Sequence, residues 1–168
     1  MMSLNLHIGC GDEIKPGYIN IDEFNPNAEQ RIPIQAIEYP EDSVDRIEGY
    51  MVFEHLSLAD ARTFLPKANR MLRPGGILIL EVPDLEKVSR LVLQFAGDPE
   101  YLEKGAFGLR GFFGEPRPDM TVGDYHKWGY TPLYARRLLE EAGFSCIEIK
   151  DGLSHCYPLR DMRIEAVK

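Results

Sequence analysis

Short apolar segments bounded by turn residues alternate along this chain with stretches whose apolar residues recur at helical spacing. That is the order expected of an open parallel sheet covered by helices. Residues 4–8 and 18–22 read as the first two strands. Residues 31–38, with Ile32, Ile34 and Ile37, predict a short edge strand and loop, and 45–52 the next strand. Ser57 offers a helix cap with Asp60 three residues on, and Leu58, Ala61, Leu65, Ala68 and Leu72 make one stripe of a helix running to about Leu72. Pro66 falls inside it, and because a proline costs about 3 kcal/mol in a helix interior, a kink or break is expected there.

Arg73-Pro74-Gly75-Gly76 stops that helix and turns the chain into Ile77-Leu78-Ile79-Leu80, apolar at every position as a centrally buried strand requires. Thr131-Pro132 supply a cap and a first-turn proline for a helix carrying Ala135, Leu138, Leu139 and Ala142 on one stripe, which Gly143 ends. Residues 146–150 and 163–167 are then the last two strands. The intervening residues 89–130, rich in glycine, proline and aromatic side chains but weak in periodicity, read as an insertion over the active face with one helix near its start. All 168 residues are expected to form a single domain.

Composition then removes several classes of function. A net charge of −8 opposes sequence-independent binding to nucleic acid, whose phosphates demand a basic surface. A membrane span needs about 20 consecutive apolar residues, and the chain has no such run. The first strand begins by Leu4, which leaves no room for a secretion leader, so a cytoplasmic protein is expected. Cys10, Cys146 and Cys156 are odd in number and lack metal-ligand spacing, the mark of reduced thiols.

The candidate chemistry begins at the end of the first strand. Gly9-Cys10-Gly11 is a G-x-G turn, and the second strand ends on Asp22, a carboxylate able to take both hydroxyls of a ribose. Pro16-Gly17 lies within the short connection and leaves little room for a helix over 12–15. A dinucleotide pyrophosphate needs the N–H groups and positive dipole of such a helix, whereas S-adenosylmethionine, a nucleoside sulfonium, carries no phosphate. The turn therefore favours the sulfonium, and Cys10 serves in it as a small residue offering its backbone.

With these pieces placed, the chain resembles the class I SAM-dependent methyltransferases, especially small ones of the type 11 kind with an L-H-(I/L)-G-C-G start and a P-G-(Y/W)-(I/V)-N-(I/V)-D second strand. Leu6 to Gly11 looks like the first motif, Phe53-Glu54-His55-Leu56 like the E-H-L signature, Met71 to Gly76 like the L-(K/R)-P-G-G turn, and Leu138 to Phe144 like the L-L-x-x-A-G-F helix end. The resemblance implies a Rossmann-like α/β fold: a mostly parallel seven-stranded sheet, helices on both faces, and a first helix shortened or absent. It implies S-adenosylmethionine as cofactor, with Gly9, Cys10, Gly11, Asp22, Glu23, Gln35, Ala36 and Met51 around it.

Three positions depart from the family pattern. Glu13 replaces a third glycine, and Pro33 stands where many relatives place an acid near the adenine, which leaves that role to Gln35 or the backbone around Ala36. Metal-binding relatives use a further acid three residues before the E-H pair; Met51 stands there, so no metal is expected.

Methyl transfer to a hydroxyl needs a base, because the proton must leave as the methyl arrives. His126, flanked by aromatic residues in Asp124-Tyr125-His126-Lys127-Trp128, and His55 are the candidates. Glu54 is either their partner or a backbone cap. Asp84, at the carboxyl edge of the central strand, together with Tyr125 and Trp128, would meet the acceptor, although Asp84 equally suits a cap for a helix over 85–93.

The expected activity is O- or N-methylation of a small-molecule or sugar-like acceptor; glycans enter through the resemblance, since such relatives are associated with surface polysaccharides. A cofactor-binding protein without turnover is the alternative reading, and a nucleotide-dependent oxidoreductase is disfavoured by the short turn after Gly11. The missing first helix would bare an apolar sheet face for a second subunit to cover, making a homodimer the expected partner arrangement.

Overall fold

A computed structural model describes residues 3–103, 107–114, 124–153 and 158–168. Among them six strands form one sheet: β1 Asn5–Ile8, β2 Ile19–Ile21, β3 Val44–Tyr50, β4 Leu72–Pro83, β5 Ser145–Asp151 and β6 Asp161–Val167. Their spatial order is β2-β1-β3-β4-β6-β5. The first four are parallel and β6 runs antiparallel to both neighbours. The order reverses between β1 and β3, and the carboxyl ends of strands at such a switch point open a ligand crevice.

One face of this sheet is apolar. Leu6, Ile8, Ile21, Ile47, Leu78, Leu80, Val82, Met162, Ile164 and Ala166 share a single core with helices α1 (Leu58–Met71) and α5 (Pro132–Glu141). Ser57 caps α1 by accepting the Asp60 N–H, and Thr131 caps α5 by accepting that of Tyr134, as the sequence predicts. Between β4 and α5 lie α2 (Leu85–Phe95), α3 (Pro99–Glu103) and α4 (Phe107–Phe113), with α2 packed on α4.

The other face is polar. His7, Asn20, Arg46, Glu48, Tyr50, Glu81 and Arg163 alternate along their strands with the core residues. Glu48 sits at the centre, accepting hydrogen bonds from Lys15, Tyr18, Arg46 and Tyr50. Burial alone would raise its carboxyl, but these four donors together hold it at about 2. Glu81 accepts from Arg163 at 2.9 Å and from the Leu153 N–H at 3.1 Å.

Five expectations change. The sheet has six strands among the described residues, not seven, because residues 31–38 form a 3₁₀ turn over Ile34–Ala36 whose Ile34 and Ile37 pack into the core rather than a strand at the edge. The helices that pack on the sheet, α1 and α5, share the apolar face; residues 11–18 are turns, so no first helix covers the polar one. That face holds ion pairs, not bare apolar surface, so the ground for expecting a homodimer is gone. Finally, α1 runs unbroken past Pro66, whose ring is exposed while Ala61, Phe64, Leu65, Ala68 and Met71 are buried on the opposite side. The Arg73–Gly76 turn is a bulge within β4, where the register with β3 jumps from Val44–Leu72 to Arg46–Ile77.

Candidate active site

The site is built first by what two glycines permit. Gly9 has φ +58°, and a Cβ there would lie 2.1 Å from Val52 Cγ2, so only glycine lets β1 meet the loop after β3. Gly11 has φ +50°, and a Cβ there would meet nothing within 4 Å, leaving its backbone open to a ligand. Asp22 fixes this turn: its Oδ2 accepts the Gly11 N–H at 3.0 Å, while Oδ1 accepts those of Phe24 at 2.8 Å and Asn25 at 2.9 Å.

Around the turn lies a cavity of about 650 Å³. Phe24, Ile32, Pro33, Ile34 and Gln35 line one part of it; Met51, Val52, His55 and Leu56 line another, beside Asp60, Asp124 and Lys127. Asp22 and Glu23 border it with the two glycines. Four carboxylates against one lysine give the wall a negative balance.

Behind this wall is a buried polar cluster. The 3₁₀ turn Phe53–His55 presents Glu54 inward, 1% exposed, and the Glu54 carbonyl accepts the N–H groups of Lys127 and Trp128 at 2.8 and 3.2 Å. These bonds bring residues 126–128 to the carboxyl end of β3. His126 Nε2 lies 3.9 Å from Glu54 Oε1, and its other nitrogen, Nδ1, is 3.0 Å from the Gly111 carbonyl. The His55 and His126 rings meet edge-on, with centroids 4.9 Å apart. Neither Glu54 carboxylate oxygen has a hydrogen bond among the described residues. Burial pushes the Glu54 carboxyl up to about 8, and burial likewise lowers His126 to about 4. Near neutral pH, Glu54 is therefore largely protonated and His126 neutral.

The structure brings Gly9, Gly11, Asp22, Glu23, Gln35, Met51 and His55 to the cavity. Cys10 is buried beside the turn with its thiol directed to the Gly11 carbonyl, and Ala36 lies outside the wall. His126 points to Glu54 instead of into the cavity. Asp84, Tyr125 and Trp128 do not reach the wall: Asp84 caps α2 by accepting the Glu86 N–H, Tyr125 is exposed, and Trp128 packs near Tyr134. Asp124 and Lys127, from the same five-residue segment, line it instead.

Sequence reasoning also missed Phe24, an aromatic side chain 71% exposed just past the two acids, and that exposure cannot be read from residue order. No backbone N–H among the described residues bonds the Glu54 carboxylate, so the suggested cap is not formed there. Cys10 and Cys146 are free thiols, while Cys156 lies outside the described residues. No helix among the described residues is long and apolar enough to cross a membrane.

Comparison with known proteins identifies the architecture. Residues 13–80 match the family model described as a methyltransferase domain. No curated protein matches the chain. Among solved structures, a possible exported protein from Bordetella parapertussis superposes with a TM-score of 0.64 at 15% identity, over 99% of this chain and 62% of its own. The chain thus spans less than two thirds of that relative. A SAM-dependent methyltransferase of Thermotoga maritima, described as a possible histamine N-methyltransferase, gives 0.61 at 17% identity over 98% and 82%. The 1,6-didemethyltoxoflavin-N1-methyltransferase of Burkholderia thailandensis, with its substrate and S-adenosylhomocysteine bound, gives 0.64 at 13% identity over 99% and 71%.

Proposed function

We propose that this chain, whose fold is similar to that of SAM-dependent methyltransferases and whose residues 13–80 match the model of a methyltransferase domain, moves the methyl group of S-adenosylmethionine to a small-molecule acceptor. One observation carries the choice of cofactor. The G-x-G turn opens into a cavity bordered by carboxylates, and turns, not a helix, follow Gly11. A pyrophosphate would find neither a helix N-terminus nor a favourable charge there, whereas a sulfonium meets a negative wall. The bound cofactor in the Burkholderia relative supports the same reading.

In this reading the adenine lies against Phe24 and the Ile32–Gln35 segment, and the ribose against Glu23 and Asp22. Because Asp22 already accepts three backbone N–H groups, Glu23 is the freer carboxylate for the hydroxyls. When bound, S-adenosylmethionine supplies a methyl carbon already activated by positive sulfur. The protein's task is alignment, and proximity and orientation supply up to about 7–11 kcal/mol in favourable cases. His55, on the wall, is placed to take the proton of a hydroxyl or amine acceptor, with His126 and Glu54 behind it. A sugar-like acceptor is the finer form of this proposal.

Calorimetric titration with S-adenosylmethionine, S-adenosylhomocysteine and NAD tests it. Saturable binding of the two adenosyl ligands, weakened in Glu23→Gln, is the expected result, followed by turnover on a panel of sugars and amines. Preference for NAD overturns the cofactor assignment. Tight adenosyl binding without turnover on any acceptor leaves a binding protein that is not an enzyme.

A further inference from the structure

The cluster behind the cavity wall has a composition that the proposed function does not require. We propose that Glu54, His55 and His126 form a binding site for one divalent transition-metal ion at the edge of the cofactor cavity. Their ligand atoms all lie within 4.8 Å of one another. Two imidazoles and one carboxylate are a set that holds zinc in catalytic sites and leaves coordination positions open.

Three observations favour a cation here over ordinary packing. The first is Glu54 itself: both oxygens are buried and lack a hydrogen bond among the described residues, in an interior where such groups are normally paired. The second is the orientation of His126. Its Nδ1 faces the Gly111 carbonyl at 3.0 Å and is satisfied there as an N–H donor, which leaves Nε2 with a lone pair facing Glu54. Metal-bound histidines are commonly held by this same outer contact. The third is distance. Ligands each about 2.1 Å from a tetrahedral ion stand about 3.4 Å apart, and Nε2 and Oε1 are separated by 3.9 Å, a gap that small side-chain rotations close.

The expectation of no metal rested on Met51, which occupies the position of the extra acid in metal-binding relatives. Here the third ligand comes from a segment more than 70 residues away in sequence, brought in by the bonds from Lys127 and Trp128 to the Glu54 carbonyl. His55 borders the cavity, so the open positions of the ion face it. With the ion bound, His55 would serve as its ligand and no longer as a base, and an acceptor bearing a hydroxyl or carboxylate oxygen would ligate the ion there. That role rests on the methyl-transfer reading, whereas the metal site itself does not.

The test uses tag-free, chelator-stripped full-length protein titrated with Co²⁺, followed by its visible ligand-field bands and by calorimetry, with Zn²⁺ as competitor. One Co²⁺ per chain, bleached by Zn²⁺ and weakened at least tenfold in both Glu54→Gln and His126→Ala, is expected. S-adenosylhomocysteine binding is measured on the same samples, and circular dichroism checks that each variant is folded. Glu54→Gln conserves shape, so it remains informative if His126→Ala fails to fold. A folded wild type that takes up no Co²⁺, or uptake unchanged in Glu54→Gln, overturns the site. A folded wild type that binds the adenosyl ligand but no Co²⁺ refutes this inference alone, and one that takes up Co²⁺ at Glu54 and His126 but binds no adenosyl ligand refutes the methyltransferase reading alone.

Discussion

Asp22 Oδ2 accepts the backbone N–H of Gly11 at 3.0 Å, so the carboxylate that closes β2 holds the turn that closes β1. With Oδ1 bonded to Phe24 and Asn25, Asp22 has a structural role before any ligand arrives. Glu23 has the same charge and borders the same cavity without that duty. Asp22→Ala is expected to lower unfolding stability by about 2 kcal/mol, since bonds to a charged acceptor contribute about 1.5–3 kcal/mol each when solvent does not compete. It should also abolish adenosyl binding. Glu23→Gln should leave the urea midpoint nearly unchanged and weaken S-adenosylhomocysteine about tenfold. Equal stability of the two variants would contradict the role of Asp22 in the turn.

The two glycines of the turn separate packing from binding. Gly9→Ala drives a methyl group to 2.1 Å from Val52 Cγ2 at a positive φ, so overpacking and backbone strain add to about 3 kcal/mol of destabilisation. Gly11→Ala meets no neighbour within 4 Å and carries only the backbone cost of about 1–2 kcal/mol. Its methyl group projects toward the ligand space, so S-adenosylhomocysteine affinity should fall more than stability does. Denaturant unfolding and calorimetry on both variants check the contrast; a stable Gly9→Ala would refute the close contact.

Much of the fold was legible because its signals are local. Ser57 and Thr131 announce their helices by capping, Gly143 ends α5 at φ +91°, and residues 77–80 read as a buried strand on composition alone. Residues 31–38 misled because their spaced isoleucines serve a 3₁₀ turn and a strand equally well, and only packing against the core decides. The placing of Gly9, Gly11 and Asp22 on one cavity was legible for the same local reason, since they terminate adjacent strands. The Glu54–His126 contact was not, because the two residues meet only through the path of residues 124–130, and sequence gives no distance across such a loop. Tyr125 and Trp128 were mistaken for cavity residues, while Asp124 and Lys127 line it, because irregular backbone has no period that assigns a facing.

Pro66 offers a test of how packing overrides propensity. Its exposed ring occupies the ninth position of α1 and removes one backbone donor, yet the buried face from Ala61 to Met71 keeps the helix whole. Pro66→Ala restores that donor without touching the core. Part of the gain is offset by the freer unfolded chain, so stability should rise by about 1 kcal/mol, read as a higher Tm. A lower Tm would mean that the ring contributes packing of its own.

Acid stability should report the polar sheet face. Glu48 has a side chain only 3% exposed and is held at about 2 by Lys15, Tyr50, Arg46 and Tyr18 against the cost of burial, below its ordinary value of 4.5. A carboxyl lowered by folding stabilises the native state above the unfolded pKa and loses that contribution as pH falls through the folded one. The window is therefore about pH 4.5 down to about 2, and at 1.36 kcal/mol per unit the contribution is roughly 3 kcal/mol. Glu48→Gln should cost about this much near neutral pH, where it leaves Lys15 and Arg46 without their shared anion. Its urea midpoint should also fall less steeply than that of the wild type between pH 4.5 and 2, because the group that releases stability there is gone. Parallel curves for the two proteins over that window would show that Glu48 is not the carboxylate governing acid unfolding.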